Sequence, residues 1–147
     1  MNDIIPPSEL ILNPDGSVYH LNLLPQDIAD TIITVGDPER VPQVSKHFDQ
    51  ITLRKSKREF LIHTGTMNGK PLTVMSTGMG TDNIDIVMNE LDALVNINLN
   101  SRQPKKELTS LNIVRIGTCG GLHPELDVDS YVISSGSFGL EGLMHTY

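Results

Sequence analysis

A chain of 147 residues, 38% hydrophobic and 20% charged, can bury one core, which excludes a disordered or fibrous protein and predicts one domain over residues 1–147. A net charge of -7 argues against a general nucleic-acid binder, whose affinity rests on clustered basic residues, but leaves room for a small anion held by a few arginines. The single cysteine, Cys119, excludes an internal disulfide framework, and neither a membrane-length apolar run nor a secretion signal in Met1–Leu12 is seen, so the expected location is cytoplasmic, with no membrane partner.

Residues 1–24 carry Pro6-Pro7 and a turn signal at Asn13-Pro14-Asp15-Gly16, which predicts an arm on the surface or on a partner subunit. His20, near its end, reads either as a solvated histidine or as a ligand-contacting group. A short helical turn is expected over 25–30. Ile32, Ile33 and Val35 form the apolar run of a strand covered on both faces, ended by Gly36. Asp37 reads as a helix N-cap and Pro38 as the first helical residue, with Val41, Val44 and Phe48 on one apolar stripe. Arg40 then sits in a first turn where the helix dipole disfavours a cation. Two readings stay open: a solvated pair with Asp37 or Glu39, or a bound anion.

Strands are expected at Ile51–Lys55, Glu59–Thr66 and Pro71–Ser76, the last two joined by an Asn68-Gly69 hairpin turn. Arg54-Lys55-Ser56-Lys57-Arg58 reads as a cationic turn, ordinarily a solvated loop. Gly78-Met79-Gly80 opens a helix whose Ile84, Val87, Met88, Leu91, Leu94 and Val95 keep a helical period. Residues 96–112 are polar and aperiodic, as in a surface insertion. Ile113-Val114-Arg115-Ile116 begins another strand, ended by Gly117-Thr118-Cys119-Gly120-Gly121, and a further strand is expected at Tyr131–Ser135. Strands alternating with helices predict an α/β fold, whose ligands bind beyond the carboxyl ends of the strands, where these glycine turns fall. No helix follows to cover the last strand before Tyr147, so the chain is expected to be an incomplete part of such a fold.

Several chemistries are disfavoured by the motifs. Gly78-Met79-Gly80 has Asn83 where a dinucleotide fingerprint needs its third glycine, and no Gly-Lys-Ser or Gly-Lys-Thr phosphate loop occurs. Cys119 with His123 nearby reads more readily as packing than as a nucleophile, and His20, His47, His63, His123 and His145 are too scattered for a metal site. Arg115 is the sharpest clue. A guanidinium inside an apolar strand calls for a bound anion or an acidic partner, and Gly36, Arg40, Arg115 and Thr118 together suit the oxygens of one phosphate. A structural Arg115–carboxylate pair stays open beside it.

Gly36-Asp37-Pro38-Glu39-Arg40-Val41, Ser56-Lys57-Arg58-Glu59-Phe60, Ser76-Thr77-Gly78-Met79-Gly80, Arg115-Ile116-Gly117-Thr118-Cys119-Gly120-Gly121 and Tyr19-His20-Leu21-Asn22-Leu23 together resemble the nucleoside phosphorylase-I family, especially its uridine phosphorylase branch. The resemblance implies a three-layer sandwich with a central mixed β-sheet flanked by helices, of which this chain carries the amino-terminal half. It implies phosphate binding by Gly36, Arg40, Arg58, Arg115 and Thr118, and ribose contacts from His20, Met79 and Thr118, with Arg58 and His20 shared across the interface of a homo-oligomer, a dimer unit or a hexamer of such units. The substrates would be a nucleoside and inorganic phosphate, with no cofactor and no metal beyond a monovalent cation that Glu59 binds in some members; Asn83 stands where those members carry Ser. The implied reaction is phosphorolysis of uridine to uracil and ribose 1-phosphate. Purine nucleoside phosphorylases and nucleosidases are the alternatives within the enzyme class, and a non-catalytic phosphate-binding or interaction module is the alternative outside it. Family members carry the ribose-gripping Glu and the base-recognition residues in a second half, so this chain by itself is expected to be inactive.

Overall fold

The computed structural model describes residues 4–145 and divides into two units, residues 1–116 and 117–147. In the first, the chain runs through a 3-10 turn (Pro25–Asp27), β1 (Thr31–Val35), α1 (Arg40–Ser45), β2 (Gln50–Lys57), β3 (Phe60–Met67), β4 (Lys70–Ser76), α2 (Thr81–Asn96), β5 (Ile97–Asn98), β6 (Gln103–Pro104) and β7 (Asn112–Arg115). The main sheet has the order β2-β3-β4-β1-β7. β1 pairs in parallel with β4 and β7, whereas β2, β3 and β4 form antiparallel pairs, so the sheet is mixed.

The period-two alternation of strand side chains sorts the core into two layers. Ile32, Phe60, Ile62 and Met75 face α2, where Val87, Leu91 and Leu94 are buried against them. The intervening residues Ile33, Val35, Leu61 and Val74 face α1 through Val41, Val44 and Phe48. Thus α1 covers one face and α2 the other, giving three layers, and the continuous apolar run of β1 follows from burial on both sides.

The hairpin between β3 and β4 forms as its sequence predicts. Asn68 and Gly69 both adopt positive φ (51° and 73°), as a two-residue turn matched to strand twist requires, and Met67 pairs with Lys70. Between β2 and β3 a bulge falls at Ile51/Leu53, opposite Gly65. A methyl group on Gly65 would overlap the Gln50 carbonyl oxygen and lie 3.0 Å from Ile51 Cα, so only glycine fits there.

Four expectations for the first unit are corrected. The α-helix after Gly36 begins at Arg40 with Glu39 at its N-cap position; Asp37 makes a cap-like bond, its Oδ1 accepting the Glu39 N–H at 2.9 Å, but in the turn that leads into the helix. Arg54 to Lys57 do not form a turn but lie inside β2; only Arg58, with φ of 57°, and Glu59 make the hairpin connection. Lys55 donates to Asp27 and to the Asn22 carbonyl, both at 2.8 Å, and Lys57 donates to Asn13 Oδ1 at 3.1 Å and to the Tyr19 carbonyl. The cations that read as a solvated run therefore fasten the amino-terminal segment to the sheet.

That segment is not a surface arm. Leu10, Val18, Leu21 and Leu23 are buried in the same core layer as α2. At about 2 kcal/mol for each fully buried aliphatic side chain, Val18, Leu21 and Leu23 favour docking by roughly 6 kcal/mol before ordering entropy is subtracted. Finally, residues 96–112 include the small antiparallel hairpin of β5 and β6, and Arg102 from it donates to the carbonyls of Ile5 (2.9 Å), Pro6 (3.3 Å) and Leu10. This insertion clamps the start of the described chain.

The unit 117–147 is largely exposed, with one 3-10 turn at Leu143–His145. The strand expected at Tyr131–Ser135 does not form; its residues have no ladder partner, and an unpaired strand leaves its backbone groups to water. Thr146 and Tyr147, where the sequence pattern showed no covering helix, and Met1 to Asp3 lie outside the described residues.

Candidate active site

The register of the parallel strands places their carboxyl ends together. Thr34 pairs with Arg115 and Val35 with Ser76, and two further bonds, Ile116 N–H to Thr34 O (2.9 Å) and Thr77 N–H to Val35 O (2.8 Å), carry the alignment past the strand ends. Gly36, Gly78 and Arg115 consequently meet. A methyl group on Gly36 would lie 3.3 Å from Arg115 Nη2 and 3.7 Å from the Gly78 carbonyl oxygen. The absence of a side chain at Gly36 is what lets the guanidinium lie against the β1 turn.

Arg115 itself is exposed, as is all of β7, so the desolvation inferred from its place in an apolar strand is not present in this chain. β7 is a sheet edge with β1 as its neighbour, and its apolar residues Ile113 and Val114 remain 38% and 50% accessible. The guanidinium donates from Nη1 to the Ile116 carbonyl at 3.1 Å. Among the described residues no carboxylate lies within ion-pair distance of Arg115 or of Arg40. The acidic-partner reading of both arginines is therefore not realised among the described residues. Arg40, half-buried, opens α1 with its amide bonded to the Asp37 carbonyl at 3.1 Å. Met79, 91% accessible, follows Gly78 at the end of β4.

Gly78 adopts φ of 66°, and a methyl group there would lie 2.6 Å from Asn83 Nδ2 and 3.0 Å from Glu59 Cγ. Glu59 and Asn83 are thus neighbours, but Asn83 Nδ2 donates to the Met79 carbonyl at 3.2 Å. Among the described residues there is no cluster of three His, Cys, Asp or Glu suited to a metal ion.

His20 and Arg58 form a second group around Tyr19. The rings of Tyr19 and His20 meet edge to face at 4.9 Å, and Arg58 Cζ lies 5.8 Å from the Tyr19 ring centroid, with Lys57 Nζ at 4.4 Å. His20 is not merely solvated: its ring Nδ1 lies 2.7 Å from Glu90 Oε1 on α2. Glu90 belongs to no motif of the sequence and is not among the residues expected at the site. Its only signal was a carboxylate one position from the buried Leu91.

Thr118 belongs to the second unit, where it is exposed; Cys119 there is a free, exposed thiol, and His123 Nδ1 accepts the Glu125 N–H at 3.4 Å. Among the described residues no cysteine–histidine hydrogen bond occurs.

A buried histidine lies away from the strand ends. His63 on β3 is hydrogen-bonded through Nδ1 to Ser45 Oγ of α1 at 2.8 Å. Burial, and secondarily the Arg54 charge paired opposite it on β2, hold its pKa below the ordinary 6.5. A base with a lowered folded pKa contributes stability that is complete above 6.5 and is lost as pH falls through the lowered folded value. The thermal midpoint is accordingly expected to drop between about pH 7.5 and about pH 5.5, and to drop less in His63→Asn. Equal drops in both proteins would show that His63 does not carry the dependence.

Glycine turns and the Arg115 guanidinium meet at the carboxyl ends of the parallel strands of a three-layer α/β frame, the end at which ligands of such sheets bind. The chain belongs to the phosphorylase superfamily, whose family model matches residues 30–145. It is 30% identical to the uridine phosphorylase of Thermococcus kodakarensis over 90% of this chain and 43% of that protein. To the DeoD-type purine nucleoside phosphorylase of Hahella chejuensis it is 33% identical, over 86% of this chain and 48% of the relative. Among solved structures, a Trypanosoma brucei nucleoside phosphorylase described as showing uridine phosphorylase activity superposes with a TM-score of 0.69 at 39% identity, covering 76% of this chain and 39% of that one. The chain spans less than half the length of these relatives.

Proposed function

We propose that this chain forms the phosphate-binding part of a nucleoside phosphorylase acting on uridine with inorganic phosphate as co-substrate. The observation that carries the reading is the meeting of Gly36 with the uncompensated Arg115 guanidinium at the strand ends. Arg115 and Arg40 would hold the phosphate, with Thr118 donating a hydroxyl and Gly36 allowing close backbone approach. Arg58 of a neighbouring copy would complete the grip in a homo-oligomer, and the ribose would be bordered by Met79 and, from that neighbouring copy, His20.

In that site a phosphate oxygen attacks C1′ while the bond from C1′ to the base nitrogen breaks, and the electron pair leaves with the base. The sugar passes through an oxocarbenium-like transition state. A phosphate dianion fixed beneath it both stabilises the developing positive charge and supplies the new bond. The arginines position the anion; they are neither acids nor bases.

The test is phosphate-dependent release of uracil from uridine, and of hypoxanthine from inosine, by the purified chain, beside direct measurement of phosphate binding. Uridine cleavage that requires phosphate supports the reading. Inosine cleavage alone moves the assignment to the purine class, which the similarity to the Hahella protein favours as the second reading. Phosphate binding with neither nucleoside cleaved is what a phosphate-binding part without its second half gives, and a non-catalytic module is favoured over it only if adding the missing half restores no cleavage; absence of phosphate binding overturns the reading.

A further inference from the structure

We propose that Glu90 is a positioning residue that fixes His20 in the tautomer protonated on Nδ1, so that Nε2 serves as a hydrogen-bond acceptor for a hydroxyl donor such as the ribose 5′-hydroxyl. The last clause rests on the proposed nucleoside site; the first rests on geometry alone. Glu90 lies on α2, in the middle of the helix and one residue before the buried Leu91, so its backbone is held by the core. Its side chain is 12% accessible, while that of His20 keeps 23%. Glu90 Oε1 accepts the His20 N–H at 2.8 Å and Oε2 accepts the Leu21 N–H at 2.8 Å. Oε1 also faces His20 Nδ1 at 2.7 Å.

An ionised carboxylate only accepts, so a ring nitrogen at that distance must bring the proton. The neutral imidazole then has its lone pair on Nε2. The two backbone amides matter as much as the ring contact. They orient the carboxylate, and they tie the residue 19–21 segment to α2, which sits across the core from α1. The bonds to Glu90 thus link the histidine segment to the middle of α2. A hydroxyl-bearing ligand donates to Nε2; one lacking that hydroxyl leaves the ring nitrogen unpaired. This would make the site selective for nucleosides that carry a free 5′-hydroxyl.

Nitrogen-15 spectra of the histidine-labelled full chain test the tautomer, with His20 assigned by its loss in His20→Gln. The wild-type spectrum is expected to show Nδ1 protonated and Nε2 bare at neutral pH. In Glu90→Gln, an amide oxygen at the Oε2 position keeps the Leu21 N–H (2.8 Å) and the His20 N–H (3.1 Å) while the NH₂ at the Oε1 position faces the ring, so the proton is expected to move to Nε2; Glu90→Asp should retain the wild-type tautomer. A wild-type His20 protonated on Nε2, or a tautomer unmoved in folded Glu90→Gln, overturns the assignment. The wild-type measurement needs no variant, so a Glu90→Gln chain that fails to fold does not remove the test. Uridine is expected to bind about three- to tenfold more tightly than 5′-deoxyuridine, the range for one neutral hydrogen bond. Equal binding overturns the acceptor role. Binding of neither nucleoside, with the Nδ1 tautomer intact, overturns the nucleoside reading and leaves the Glu90–His20 assignment standing.

Discussion

Arg115→Ala is expected to weaken binding of inorganic phosphate by about tenfold to a hundredfold, the range for losing hydrogen bonds to a charged ligand. The same substitution should leave the thermal midpoint nearly unchanged. The side chain is exposed and its one intramolecular bond goes to its neighbour's carbonyl at 3.1 Å, so little native-state energy is removed with it. Titration calorimetry with phosphate at low ionic strength, beside thermal melts, reads both quantities. Unchanged phosphate affinity in a folded Arg115→Ala protein would sink the site assignment. The measurement is sharpened by Gly36→Ala, whose methyl group would stand 3.3 Å from the guanidinium and occupy the close-approach space without removing any charge. If the geometry around Gly36 matters as much as the charge, the two variants should weaken phosphate binding in the same direction.

Gly65→Ala should have the largest effect on stability, at about 3 kcal/mol or more, because its methyl group meets backbone rather than a movable side chain. The Gln50 carbonyl oxygen and Ile51 Cα crowd that position across the β2–β3 bulge, and neither can rotate away. Gly69→Ala provides the comparison: its φ of 73° imposes a conformational cost of about 1 kcal/mol, but nothing stands within contact distance of the added methyl. Denaturant unfolding of both variants would test the difference. Similar losses in the two would mean that β2 shifts readily to absorb the clash. A consequence for function follows from topology, since the β2–β3 hairpin ends in Arg58; displacing β2 should also move that guanidinium from the Tyr19 ring it faces.

The strand–turn–helix units were legible because their signals are local. Ile32, Ile33 and Val35 mark a two-sided buried strand, Asn68-Gly69 marks a two-residue hairpin, and the spacing of Val87, Leu91 and Leu94 marks the buried face of α2; each corresponds to burial or backbone angles observed in the fold. The misreadings share a different cause. Lys55 and Lys57 read as a solvated turn because their partners, Asp27, Asn22, Asn13 and Tyr19, lie far away in the chain and are brought near only by packing. The amino-terminal segment read as an arm because proline and turn residues dominate it, while its four buried aliphatic residues show no regular period. Asp37 had the right chemistry for a cap but used it one residue before the helix, a choice set by the turn that Pro38 imposes.

For the candidate site, residue types alone were enough to single out Gly36, Arg40 and Arg115, since glycine turns after apolar strands and arginines in awkward places are readable without coordinates. Their adjacency was not. Parallel pairing of β1 with β4 and β7 decides that Gly36, Gly78 and Arg115 share one end of the sheet, and the docking of residues 19–21 on α2 decides that His20 meets Glu90. The sequence by itself determined which local structures form and which residues carry chemistry, because propensity, capping and periodicity act over a few neighbours. Only the tertiary structure decided which of those residues face one another, because strand register and core packing join positions tens of residues apart through contacts that no local pattern encodes.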